Sequence, residues 1–162
     1  MDGATLRLLD ALRGVSYPGG PHTRDALEAF ARLLVGWPLA PADDRWIAEL
    51  AARAELRWNG ARAEPFRVVY AAVRARGRTI DVTDDAVRGG ALALEGLMLL
   101  PVRERAVLAA ACVLGFDHAE VGHVIGTMPG EALAIVRSAV ALLRRLAAVG
   151  VDTDRDESEP AA

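Results

Sequence analysis

Lysine is absent: all 19 basic residues of the 162 are arginine, a pattern that fits GC-rich coding and carries no chemistry. Aromatic residues are scarce at 5%, while 52% of the chain is apolar, mostly alanine and leucine, a composition that favours helices over sheets. The single cysteine, Cys112, excludes an intramolecular disulfide, and the ligand set of a structural zinc site is missing. Set among alanines in an apolar helical run, Cys112 is expected to be a small buried hydrophobe in a reducing cytoplasm. No N-terminal segment has the layout of a signal peptide, and the apolar runs are too short or too interrupted by arginine to span a bilayer. A cytoplasmic protein without membrane contact is therefore expected.

A strong positive charge is also missing. The net charge is −3, but the segment from Val151 carries Asp152, Asp154, Asp156, Glu157 and Glu159 against Arg155, a balance of −4, which leaves the body at +1. Such a body lacks the footprint of a strongly basic nucleic-acid binder. Catalytic patterns are absent too. No Ser-His-Asp or Cys-His arrangement is suggested, and Gly19–Gly20 and Gly89–Gly90 lack the Lys-Ser/Thr of a phosphate loop. His118 and His123 stand five apart and face different directions on a helix, unlike a zinc pair. No enzymatic activity, metal or cofactor is expected.

What is present is helical periodicity cut by Gly and Pro. Ala4 to Leu12 reads as a helix, and Thr23 caps a second that carries Leu27, Phe30, Leu33 and Leu34 and stops near Gly36. A third opens around Pro41 with Asp43 and Asp44 in its first turn and runs through Trp46, Ile47, Leu50 and Ala54 toward Trp58. There capping and solvation account for Asp43 and Asp44, and an exposed turn for Glu49. A fourth spans about Glu64 to Arg76. Residues 77–96 read as a linker and a connecting helix, with Thr83 or Asp84 as its cap. Then follow helices over Pro101 to Leu114, Asp117 to Ile125, and Pro129 to about Ala148, with Gly126–Thr127 as a tight turn. The three tryptophans, Trp37, Trp46 and Trp58, are expected to pack the N-terminal half. Strand-like alternation is nowhere convincing. The expected fold class is all-α, in two small helical lobes.

Leu100–Pro101, Arg103, Arg105 to Leu108, Gly115–Phe116, Glu120–Val121, Ile125–Gly126–Thr127 and Gly130 stand in one ungapped run. This run resembles region 4 of bacterial sigma factors of the extracytoplasmic-function type, within the sigma-70 family. More loosely, Asp43 to Leu50 is similar to the acidic helix by which that family docks on RNA polymerase. Pro65 to Arg74 is similar to the helix leading to its −10 reading surface. The resemblance implies a region 2-like lobe over 1–76, the linker, and a region 4-like helix-turn-helix over 97–149, while the charge of 150–162 reads as an acidic disordered tail. It implies RNA polymerase core and promoter DNA as partners, with Asp43, Asp44 and Glu49 on the polymerase. It also implies Arg74, Arg76 and Arg78 on the −10 side, and Arg137, Arg144 and Arg145 on the −35 side.

The sequence departs from that family where DNA would be touched. Positions that carry Lys or Arg in family members hold Glu131, Leu133, Ile135, Ser138 and Val140 here. Apolar residues cover more than one face of the last helix, which raises a second expectation: Leu133, Ile135 and Val140 as a protein interface. The apolar arc would be covered by the N-terminal lobe within the chain's own compact fold, or by another copy, an anti-sigma factor or the polymerase.

Overall fold

In the computed structural model, residues 23–36, 41–77 and 100–156 are described, with side chains up to Arg145. Helix α1 (Thr23–Val35) buries most of its length, including Ala26, Leu27, Phe30, Leu33 and Leu34. A helix this apolar belongs at a centre, and α1 packs against three others. It stops at Gly36, whose φ of 88° suits glycine and whose N–H donates to Arg32 O at 2.9 Å. Helix α2 (Pro41–Glu55) lays Ile47, Leu50, Ala51 and Ala54 on α1. Helix α3 (Glu64–Arg76) starts with Pro65 in its first turn and ends on the left-handed Gly77, burying Phe66, Val69, Tyr70 and Val73.

The C-terminal segment follows the expected order of three helices. Helix α4 (Val102–Leu108) runs into a π-helical stretch, Ala109–Val113. The wide turn advances each residue by a smaller angle than an α-helix does, which corrects one expectation. Cys112 falls short of the buried face and is exposed, whereas Phe116 turns inward at 6% exposure. Helix α5 (His118–Ile125) and helix α6 (Pro129–Asp156) complete the segment, and their axes cross at 89°.

The described residues are all-α, with no strand among them. One apolar core runs from α1 to α6 and holds residues of both halves of the chain. All three phenylalanines line its middle. Phe30 meets Phe66 edge-on at 5.3 Å, and Phe66 meets Phe116 the same way at 5.4 Å. The stretch 78–96, with its expected linker, lies outside the described residues, as do the helix expected over Ala4 to Leu12, Trp37 and Arg78.

Two further expectations change. Helix α2 ends at Glu55, so Trp58 leaves the helical register and is 45% exposed instead of packing the core. The last helix continues to Asp156, past Ala148 and into the segment expected to be disordered. Its interior meets no proline, and Gly150 costs only about 1 kcal/mol. No single described helix is long and apolar enough to cross a membrane.

Candidate nucleic-acid interface

The α5–turn–α6 unit is assembled by local chemistry. Asp117 caps α5 by accepting from Glu120 N–H, and the Glu120 carboxylate accepts in return from Asp117 N–H, both at 2.9 Å. At the other end Gly126 adopts φ 73°, and Thr127 N–H donates to Gly122 O at 2.8 Å. A Cβ on Gly122 would stand 2.7 Å from Thr127 O, so only glycine lets the chain fold back this closely. Val121, Val124 and Ile125 bury the inner side of α5.

Helix α6 then divides cleanly. Ala132, Ile135 and Ala139 are buried, and Val136, Val140, Leu142 and Leu143 pack partly buried beside them. After the exposed Pro129 and Gly130 of its opening turn, the exposed residues up to Arg145 are Glu131, Ala134, Arg137, Ser138, Ala141, Arg144 and Arg145. At about 100° per residue these seven fall within an arc of about 140°. The chain's own core therefore takes up most of the apolar arc, as the own-fold alternative expects, and leaves little of it for a partner. Ile135 is buried in it, Val140 packs against it, and Leu133 is half-buried at its border. The free arc is polar, small and arginine-bearing. It contains all three arginines expected on the −35 side.

The N-terminal expectations are redistributed. Asp43 is 1% exposed, not a solvated cap, and accepts from Arg76 at 2.6 Å. Arg76 also lies over the Trp46 ring at 4.3 Å. A residue expected on polymerase and one expected on DNA thus satisfy each other. Asp44 pairs with Arg32 across the α1–α2 contact, while Glu49 is exposed. Arg74 is exposed beside Tyr70, its guanidinium 5.8 Å from the ring, and burial pushes the Tyr70 hydroxyl up.

Sequence reasoning missed the polar seam that sets the motif against the N-terminal helices. Arg62, just before α3, donates to both Glu120 oxygens at 2.5 and 2.6 Å and to Gly115 O at 3.3 Å. It also covers the Phe116 ring at 4.9 Å. The Arg62 guanidinium is the main reason the Glu120 carboxyl lies below its ordinary value. On α3, Glu64 is held by Arg67 at 2.5 Å and approached by His123 Nε2 at 2.5 Å. Arg67 first, and His123 after it, draw the Glu64 carboxyl down to about 2 against the burial that opposes them.

Arg105, one of the residues of the region 4 resemblance, is 2% exposed and donates through Nη1 to Leu33 O at 3.3 Å. That carbonyl belongs to the last turn of α1, where the helix dipole favours a cation. Desolvation lowers the Arg105 pKa from its ordinary value. Among the described residues no group of His, Cys, Asp and Glu could hold a metal ion. Against known proteins, the chain matches no family model, no curated protein and no solved structure.

Proposed function

We propose that the chain is a sigma-like regulator of transcription initiation whose α6 meets duplex DNA and whose N-terminal helices meet RNA polymerase core. The observation that carries this reading is the free arc of α6, projecting from a helix pair crossed at 89°. A helix-turn-helix places its second helix in the major groove, where small side chains permit close approach and arginine meets phosphates and guanine. Ala134, Ser138 and Ala141 supply the small positions, and Arg137, Arg144 and Arg145 the charge. Arg74, exposed near the end of α3, is the N-terminal candidate. Arg76 is engaged by Asp43, so its share in DNA binding requires that pair to open.

The same pair favours a second reading, a sigma-like module that binds a protein instead of a promoter. Asp43 and Arg76 spend on each other what a sigma factor would offer to polymerase and DNA.

Titrating a labelled duplex with the purified chain between about 50 and 200 mM salt separates the two readings. Three phosphate contacts predict a slope near −3 in log affinity against log salt, since each contributes about −0.9. Changing Arg144 and Arg145 together to Ala is expected to remove about two units of that slope. A salt-independent or absent signal, with capture of polymerase core that a true sigma factor displaces, would leave only the second reading.

A further inference from the structure

Glu131 is the residue of the free arc that a DNA-binding helix should least tolerate, because an exposed carboxylate repels phosphates. It nevertheless stands third in α6, in the first turn, the part of a recognition helix that reaches base edges. Its surroundings are open: Met128 is 74% exposed, and Pro129 and Gly130 are exposed as well. A Cβ on Gly130 would meet nothing within 4 Å, so none of the described residues stands against this position. The Glu131 side chain is also held in place, for its Oε2 accepts from the hydroxyl of Thr127, in the turn itself. One carboxylate oxygen is tied to the motif, and the other, Oε1, remains to receive a donor from outside. Ala134 and Ser138, three and seven positions on, extend the same exposed stripe with side chains too short to hold a groove away.

Among base edges in the major groove, cytosine presents an amino donor, and a carboxylate is the side chain that accepts from it. Resting on the DNA reading above, we propose that Glu131 is the specificity-determining residue of α6 and accepts from the N4 amino group of a cytosine. Arg137, Arg144 and Arg145 then supply affinity, and Glu131 sets the sequence. The carboxylate lowers affinity for every duplex and recovers it only where a cytosine faces it.

A merely structural role for Glu131 also exists, since a carboxylate in the first turn favours the helix dipole. Glu131→Gln distinguishes the two. Glutamine keeps an oxygen for the Thr127 hydroxyl, but its amide pairs with adenine instead of cytosine. The experiment is selection from a pool of randomised duplexes with the wild-type chain, Glu131→Gln and Glu131→Ala, each checked for helicity by circular dichroism. Wild type is expected to enrich a C·G pair at one position, about tenfold over the other pairs. Glu131→Gln should move that preference to A·T at the same position. Glu131→Ala should lose it and bind unselected duplex more tightly. Identical base preferences in all three proteins would overturn the role of Glu131 while leaving DNA binding intact. A wild-type chain that retains no duplex would instead remove the DNA reading, and this role with it.

Discussion

Gly122 sits inside α5, where glycine ordinarily costs about 1 kcal/mol relative to alanine. Here the usual sign is reversed, because the missing Cβ is the space that Thr127 O occupies, 2.7 Å away. The contact is with backbone, which cannot swing aside as a flexible side chain could. Gly122→Ala should therefore destabilise the protein by about 2 kcal/mol, as overpacking does. Urea unfolding followed by circular dichroism measures this, and a gain in stability would rule the close approach out. The turn at Gly126–Thr127 was legible from sequence, because glycine after an apolar helical run marks a left-handed end. Gly122 was not, because its partner atom approaches only once α5 and α6 have crossed. Asp43 was misread for a similar reason: a carboxylate in a first turn suggests capping, and nothing local announces Arg76 on another helix, 33 residues on. Burial of Cys112 follows from an unbroken helix over Pro101 to Leu114, and the π-helical stretch Ala109–Val113 interrupts it.

At the level of elements, spacing and punctuation carried far. The expected spans of α3 and α5 match the structure, since Pro65, Gly77, Asp117 and Gly126 mark their ends in ways the chain cannot ignore. The apolar arc of α6 was visible, but its destination was not. One core consumes Ile135 and Val140, and only the packed helices show that Glu131, Ala134, Ser138, Ala141 and the arginines are left over. The joint between α3 and α5 was invisible because Arg62 looked like one more loop arginine. Its contacts with Gly115, Phe116 and both oxygens of Glu120 lie in the C-terminal segment. Arg62→Ala should lower stability by roughly 1 kcal/mol, less than a fully buried charge-assisted hydrogen bond because solvent partly reaches the pair. Arg53→Ala, on the exposed side of α2, should change it by less than about 0.5 kcal/mol in the same unfolding assay. Equal effects of the two substitutions would mean that the Arg62 contacts contribute nothing to the joint.

Taken as a whole, the described part of the molecule holds its two halves together by an apolar ladder with an ionic margin. The ladder Phe30–Phe66–Phe116 is indifferent to pH, whereas the margin is not. Glu64 is drawn to about 2 in the folded chain from an ordinary value of 4.5, so the folded state prefers its ionised form. A group whose pKa is depressed by folding contributes stability that is complete above its unfolded value and is lost as pH falls toward the folded one. Glu64 should thus stabilise the protein fully above about pH 4.5, with the contribution fading between 4.5 and 2. Its partners on both sides of the seam, Arg67 on α3 and His123 on α5, are what the acid limb reports. Glu64→Gln removes the titration while keeping the shape. The variant should be less stable than wild type at pH 6, and the two stabilities should converge as pH drops through that window. Wild-type and variant curves that run parallel from pH 6 to 2 would place the acid sensitivity in other carboxylates, and leave the joint to the ladder and the Arg62–Glu120 pair.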